Sequence, residues 1–131
     1  MKTIILIGAN GKMGQAALTG LKKHRVITAS RSGSGCDYTV DITSKASIRG
    51  LFERVGKVDA VVNTVGYCEY APFSEMTDAQ WDATIQSKML GQISLVKVGI
   101  DYINDGGSFT LISGILNVKP IPLAIADATA S

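Results

Sequence analysis

The apolar run Thr3-Ile4-Ile5-Leu6-Ile7 leads directly into Gly8-Ala9-Asn10-Gly11-Lys12-Met13-Gly14, which reads as a strand, a glycine turn and a helix start. No other stretch constrains the fold as much. In a strand–turn–helix unit the first glycine makes the tight turn, the next lets backbone approach a pyrophosphate, and the last allows close helix packing. The N–H groups of the helix start then face the anion. The turn therefore reads as a phosphate cradle and a nucleotide cofactor as its occupant, although a plain strand-to-helix turn can carry the same glycines.

With 131 residues, 46% of them hydrophobic and 18% charged, the chain is long enough for a real core and reads as one domain, 1–131. Thirteen basic against eleven acidic residues give a net charge of +2, with no basic run, which argues against a nucleic-acid or membrane partner. Any phosphate binding must be local. Cys36 and Cys68 have no metal or redox spacing and read as reduced thiols of an intracellular protein. The start of the chain lacks the pattern of a signal peptide, and no apolar stretch is long enough to span a bilayer, so a cytoplasmic protein is expected.

Strand and helix signals alternate along the chain, which predicts a parallel sheet with helices on both faces. Met13, Ala16, Ala17, Gly20 and Leu21 fall at helical spacing, with Lys22 and Lys23 placed to complement the dipole of the last turn. Residues 26–29 and 38–40 read as the second and third strands. Ile48, Leu51, Phe52 and Val55 recur on one helical face before Gly56, and Ala60-Val61-Val62 reads as a central strand buried on both sides. Thr77-x-x-Gln80 is a capping box opening a long helix, 77–103, whose stripe is Trp81, Ile85, Met89, Ile93, Val96, Ile100 and Ile103. That helix is expected to end at Asn104 and the Asp105-Gly106-Gly107 turn, ahead of a fifth strand over 109–112. Right-handed crossovers then give the strand order 3-2-1-4-5 in a Rossmann-like doubly wound α/β fold of three αβα layers.

Such a fold places its ligand crevice at the carboxyl ends of strands 1 and 4. Gly8, Asn10, Gly11, Lys12, Met13 and Gly14 follow strand 1, Ser30, Arg31 and Ser32 follow strand 2, Asp41 and Ile42 follow strand 3, Asn63, Thr64, Val65 and Gly66 follow strand 4, and Ser113 follows strand 5. NAD-preferring folds place an acidic side chain about twenty residues past the glycines, to bond the ribose 2′-hydroxyl. Here that place holds Ser30-Arg31-Ser32, and a guanidinium suits a 2′-phosphate. NADP is thus expected over NAD.

With these residues in place, the chain resembles the short-chain dehydrogenase/reductase family over essentially its whole length. Four ordered stretches carry the resemblance: the glycine turn, Val40-Asp41-Ile42 in the place of the adenine-contacting acid, Val62-Asn63-Thr64-Val65-Gly66 in the place of Asn-Asn-Ala-Gly, and Leu111-Ile112-Ser113-Gly114 in the place of the strand bearing the catalytic serine. The glycine spacing is nearer to that of extended or atypical members. The resemblance implies an NADP(H)-dependent oxidoreductase acting on a small-molecule carbonyl or alcohol. Ser113 would steady the substrate oxygen, and Lys88 stands where the family has a helix asparagine that supports a water relay.

The family's catalytic Tyr-x-x-x-Lys is missing. At its usual spacing the two places fall on Ala126 and Ala130 counted from Ser113, or on Asp127 and Ser131 counted from Gly114. The family also continues through a further helix and strand, so the chain reads as a fragment or shortened member whose strand 5 is an exposed edge and whose tail, 121–130, is unstructured. The single histidine, His24, reads as a surface residue at a helix end, and no metal site can be built around it. Tyr67, Glu69 and Tyr70 stand at the crevice rim, as loop packing or as a replacement acid. Lys88 reads either as an exposed helix lysine or as a group acting on substrate, and Trp81 and the methionines as filling for the core or for a homo-oligomer face on the long helix. Two classes remain open: a reductase or dehydrogenase, and a non-catalytic NADP(H)-binding module or redox sensor.

Overall fold

The N-terminal apolar run forms β1 (Thr3–Ile7), and α1 (Lys12–Gly20) leaves the glycine turn, as the sequence predicts. The computed structural model describes residues 1–68, 70–113 and 129. After α1 come β2 (Arg25–Ser30), β3 (Tyr38–Thr39), α2 (Lys45–Val55) and β4 (Val58–Asn63). A long helical stretch then passes through α3 (Asp78–Thr84), a π-helical segment (Ile85–Leu90), α4 (Gly91–Gly99) and a 3-10 turn (Ile100–Tyr102) into β5 (Ile103–Thr110). The strands pair in parallel in the order β3-β2-β1-β4-β5, the predicted Rossmann-like doubly wound α/β topology.

β1 sits at the centre, with Ile5 opposite Ile27 of β2 on one side and Val61 of β4 on the other. Side chains alternate along a strand, so Ile5 and Ile7 face one layer while Ile4 and Leu6 face the other. On the first face Ile5, Ile7, Ile27, Ala29 and Val61 join Ile48, Leu51 and Phe52 of α2 and Leu95 of α4 in one buried cluster. Right-handed crossovers that step away from β1 in opposite directions put α1 on the remaining face. Ile48, Leu51 and Phe52 are 0% exposed. Each such side chain contributes roughly 1.5–3 kcal/mol by leaving water, so the helical spacing read from the sequence is what anchors α2.

Several boundaries move. Helix α1 stops at Gly20, where the N–H of Leu21 bonds back to the Leu18 carbonyl, so Lys22 and Lys23 lie beyond its last turn and do not face its dipole. The buried residue of α1 is Gly14, whereas Met13 is 57% exposed. His24 is no helix-end residue: its Nδ1 accepts a hydrogen bond from the Lys2 N–H at 3.2 Å, next to the start of β1. Val40 leaves the ladder after Thr39, though its N–H still reaches the Ser30 carbonyl at 3.0 Å.

The capping box is present, with Thr77 Oγ1 accepting from the Gln80 N–H and Gln80 Oε1 accepting from the Thr77 N–H. The helix it opens is neither uniform nor turned as the apolar stripe predicts. Its buried side holds Thr84, Ser87, Lys88, Gly91, Gln92, Ser94, Leu95 and Gly99, while Ile93 and Ile100 are 46% and 62% exposed. Trp81 packs edge-on against Phe73 at 6.1 Å and is only half-buried. The Asp105-Gly106-Gly107 stretch is no terminating turn either, because β5 has already begun at Ile103 opposite Val58. A register shift between Val58 and Ala60 absorbs it, with Gly106 at φ +78.

Candidate functional site

Strand ends and helix starts meet at the glycine turn. The Gly8 N–H donates to the Ala29 carbonyl at 2.9 Å, the Gly11 N–H donates to the Gly8 carbonyl at 3.0 Å, and Gln15 Nε2 holds the Ala9 carbonyl at 2.6 Å. Gly8 lies at φ +86, and a Cβ there would meet Thr64 Oγ1 and the Val65 side chain. A Cβ on Gly14 would overlap the Gly8 carbonyl, so α1 approaches β1 as closely as only glycine permits. Gly11 differs: its Cβ would meet nothing nearer than the Gly8 oxygen, at 3.5 Å. Gly11 is also the N-cap of α1, with no side chain bonded across the helix start, and Lys12 and Met13 beside it are exposed. Open space over an uncapped helix N-terminus fits a phosphate group.

Ser30 closes β2 rather than following it, and is buried. Its Oγ accepts from Asn10 Nδ2 at 3.1 Å and from the Gly33 N–H at 2.9 Å, while Asn10 Nδ2 also donates to the Ser34 carbonyl at 2.8 Å. These bonds brace the glycine turn against the loop that carries Arg31 and Ser32, both exposed. Asp41 lies across from them. The Thr43 hydroxyl donates to Asp41 Oδ1, and this bond, the Thr43 N–H and the charge of Arg31 hold the carboxyl below its ordinary 3.8 against the opposing effect of partial burial. Ile42 is buried, and a Cβ on Gly91 would come 3.0 Å from its side chain. A pocket of about 470 Å³ runs between Arg31, Thr43, Tyr67, Ala83, Gln86 and Ser87.

At the end of β4, Asn63 is 2% exposed and grips its own loop: Oδ1 accepts from the Val65 N–H at 3.2 Å and Nδ2 donates to the Val65 carbonyl at 2.9 Å. Thr64 Oγ1 donates to the Ile7 carbonyl at 2.8 Å, which ties this loop to β1. A Cβ on Gly66 would stand 3.3 Å from both Lys88 and Ile112 side chains, so the loop, the long helix and the chain past β5 converge there. Lys88 is 7% exposed, not the solvated helix lysine that was one of its two readings, because the helix turns it inward. Ser113, two residues beyond Leu111, is exposed. Tyr67 and Tyr70 are each 54% exposed at the rim.

The sequence reading missed Gln92. It is buried, and its amide reaches Asn63, Ile112 and the Lys88 carbonyl. Only its place four residues after Lys88 on the helix could have signalled it. Glu69, Gly114, Ala126, Asp127, Ala130, Ser131 and the segment 121–128 lie outside the described residues. Among the described residues no group of histidine, cysteine or acidic side chains could hold a metal ion, and no helix is long and apolar enough to cross a membrane.

A parallel sheet of this order, with a glycine turn and polar strand ends at the switch between β1 and β4, defines the dinucleotide-binding class of α/β folds. Within that class the chain belongs to the short-chain dehydrogenase/reductase family: residues 8–128 match the family described as enoyl-(acyl carrier protein) reductase. It is 24% identical to an uncharacterized oxidoreductase of Methylorubrum extorquens, over 92% of this chain and 58% of that protein. Acetoacetyl-CoA reductase of Cupriavidus necator is 31% identical over 65 residues, 50% of this chain and 26% of that one. Among solved structures, the protein lin1944 from Listeria innocua superposes with a TM-score of 0.95 and 46% identity, covering 99% of this chain and 64% of that one. A small-chain dehydrogenase in complex with NADPH gives 0.88 and 25%, covering 98% and 57%. The chain thus spans less than two thirds of the length of each of these proteins.

Proposed function

We propose that this chain is a single dinucleotide-binding domain of a cytoplasmic, NADP(H)-dependent oxidoreductase acting on a small-molecule carbonyl or alcohol, and that it assembles as a homo-oligomer through the long helix, 77–103. The observation that carries the reading is Arg31, exposed beside the braced glycine turn where an NAD-preferring site would place an acid. Its guanidinium suits a 2′-phosphate, with Ser32 alongside. The turn Gly8, Asn10, Gly11, Lys12, Met13 and Gly14, braced by Ser30, would receive the pyrophosphate. Asp41 and Ile42 would flank the adenine, and Asn63, Thr64, Val65 and Gly66 would line the path to the nicotinamide. The NADPH of the similar small-chain dehydrogenase and the name of the Cupriavidus necator relative support the cofactor and the substrate class.

A bound nicotinamide supplies or accepts the hydride. The chain's own part is placement and polarisation. The Ser113 hydroxyl would donate a hydrogen bond to the substrate oxygen, and the Lys88 ammonium would favour negative charge developing there. The second reading, a non-catalytic NADP(H)-binding module, rests on one observation, the missing Tyr-x-x-x-Lys. Titration with each cofactor tests the shared part of both. NADPH should bind at least about ten-fold tighter than NADH, since one charge-assisted phosphate contact is worth roughly 1.5–3 kcal/mol, and Arg31→Ala should close the gap. Equal affinities in the unmutated chain would overturn the assignment.

A further inference from the structure

The ladder between β4 and β5 ends at Val62 opposite Thr110. Two residues on, the chain has left the sheet, yet the Ile112 backbone is held on both sides by one side chain. Gln92 Oε1 accepts the Ile112 N–H at 2.7 Å and Gln92 Nε2 donates to the Ile112 carbonyl at 2.8 Å, the paired bonds that one residue of an antiparallel strand would offer. The same amide also accepts from Asn63 Nδ2 at 2.9 Å and donates to the Lys88 carbonyl at 2.7 Å. An amide has two donors and two acceptor lone pairs, so Gln92, 6% exposed, has all four in use. The Lys88 carbonyl belongs to the π-helical segment, where the Gly91 N–H reaches back to Gln86 rather than to the residue an α-helix would use. One side chain therefore joins the end of β4, the helix turn that buries Lys88, and the residue preceding Ser113.

We infer that Gln92 is a positioning residue: it substitutes for a strand in fixing Ile112 and Ser113, and it sets them against Lys88 and the Asn63–Gly66 loop at the reacting end of the crevice. The inference rests on the assignment of Ser113 and Lys88 to that end. Through Asn63, which holds Val65, the amide reaches the loop on the nicotinamide side, while Arg31 and Asp41 at the adenine end have no bond to it. Removing it should loosen one end of the crevice and leave the other.

Two variants of the full chain test this. Gln92→Leu keeps the bulk and removes all four bonds; Gln92→Glu keeps the acceptors and removes the donors, and guards against misfolding of the first. Amide hydrogen exchange at Ile112 should quicken by about ten-fold or more in Gln92→Leu, which loses the acceptor of that N–H, and far less in Gln92→Glu, which keeps it, with Leu6 in β1 unchanged in both. NADPH should bind several-fold more weakly, whereas 2′,5′-ADP, which lacks the nicotinamide, should bind within about two-fold of the parent. Unchanged Ile112 exchange in folded Gln92→Leu, or unchanged NADPH affinity in folded Gln92→Glu, overturns the inference. So does a parallel loss of NADPH and 2′,5′-ADP, the mark of general destabilisation. If the parent binds neither nucleotide, the proposed function fails, and Ile112 exchange alone still decides whether Gln92 holds that segment.

Discussion

Gly11 and Gly14 stand one helical turn apart yet answer to different demands. A Cβ on Gly14 runs into the Gly8 backbone, which cannot step aside, whereas a Cβ on Gly11 points into open space. Gly14→Ala should lower both stability and NADPH affinity, the first by about 1–3 kcal/mol in urea unfolding, as overpacking does. Gly11→Ala should leave the urea midpoint nearly unchanged and weaken NADPH binding alone, because only a ligand needs that space. Equal effects of the two on stability would show that the turn has been misread. Asp41 makes a separate prediction. Thr43 and Arg31 depress its carboxyl in the folded chain, so the stability it contributes is complete above its ordinary 3.8 and is lost as pH falls through the lowered folded value. Asp59, held down by the Thr3 N–H and Asn104, has the same sign and stays in both proteins. Asp41→Asn should therefore lose less stability than the parent between about pH 6 and pH 3, read from urea midpoints at each. The glycines were legible because their spacing states a backbone requirement. Lys88 and Gln92 were not, since a polar residue on a helix declares its burial only when the partners on other elements are known.

The long helix shows why its existence and its orientation are legible to different degrees. The Thr77–Gln80 capping box marks its start and the absence of proline its length, both local facts. Its orientation is set from outside. Gly91 lets the backbone approach Ile42, and Gly99 admits the rings of Phe52 and Phe109, so the closest face is small and polar rather than apolar. A count of hydrophobic residues at helical spacing cannot find such a face. The π-helical segment adds to the error, since its wider turn shifts the phase of everything after it. What part of the stripe does describe is the outer surface: Ile93 and Ile100 are 46% and 62% exposed. Under the proposal of a homo-oligomer through this helix, Ile93→Glu with Ile100→Glu should convert the assembly to monomers in sedimentation equilibrium without changing the helical circular dichroism. A parent that is already monomeric at the same concentration rules the helix out as an interface.

At the scale of the whole molecule, alternating strand and helix signals and the right-handed crossover rule were enough to order the sheet, because each is a property of short segments added in chain order. The start of β5 escaped that logic. Asp105-Gly106-Gly107 has the composition of a turn, and only the pairing of Ile103 with Val58 and the register shift beside it make it strand. The crevice followed from the topology, and the residues at its strand ends were legible to the extent that topology placed them; the bracket that joins its reacting end was not, because it depends on a side chain crossing from one layer to another. The same division bears on turnover. The glycine turn proposed to hold the nucleotide lies within the described residues, but no Tyr-x-x-x-Lys stands in the sequence to give a phenol with a neighbouring cation as proton donor. Positioned general acid catalysis is worth about 10²–10⁴ in rate, and neither Ser113 nor Lys88 is a phenol with a neighbouring cation. The 131-residue chain should therefore bind NADPH while reducing model ketones and aldehydes barely above the uncatalysed rate, followed through the loss of NADPH absorbance. Robust turnover that disappears in Ser113→Ala or Lys88→Ala would overturn this expectation, and would locate an unconventional acid in the crevice itself.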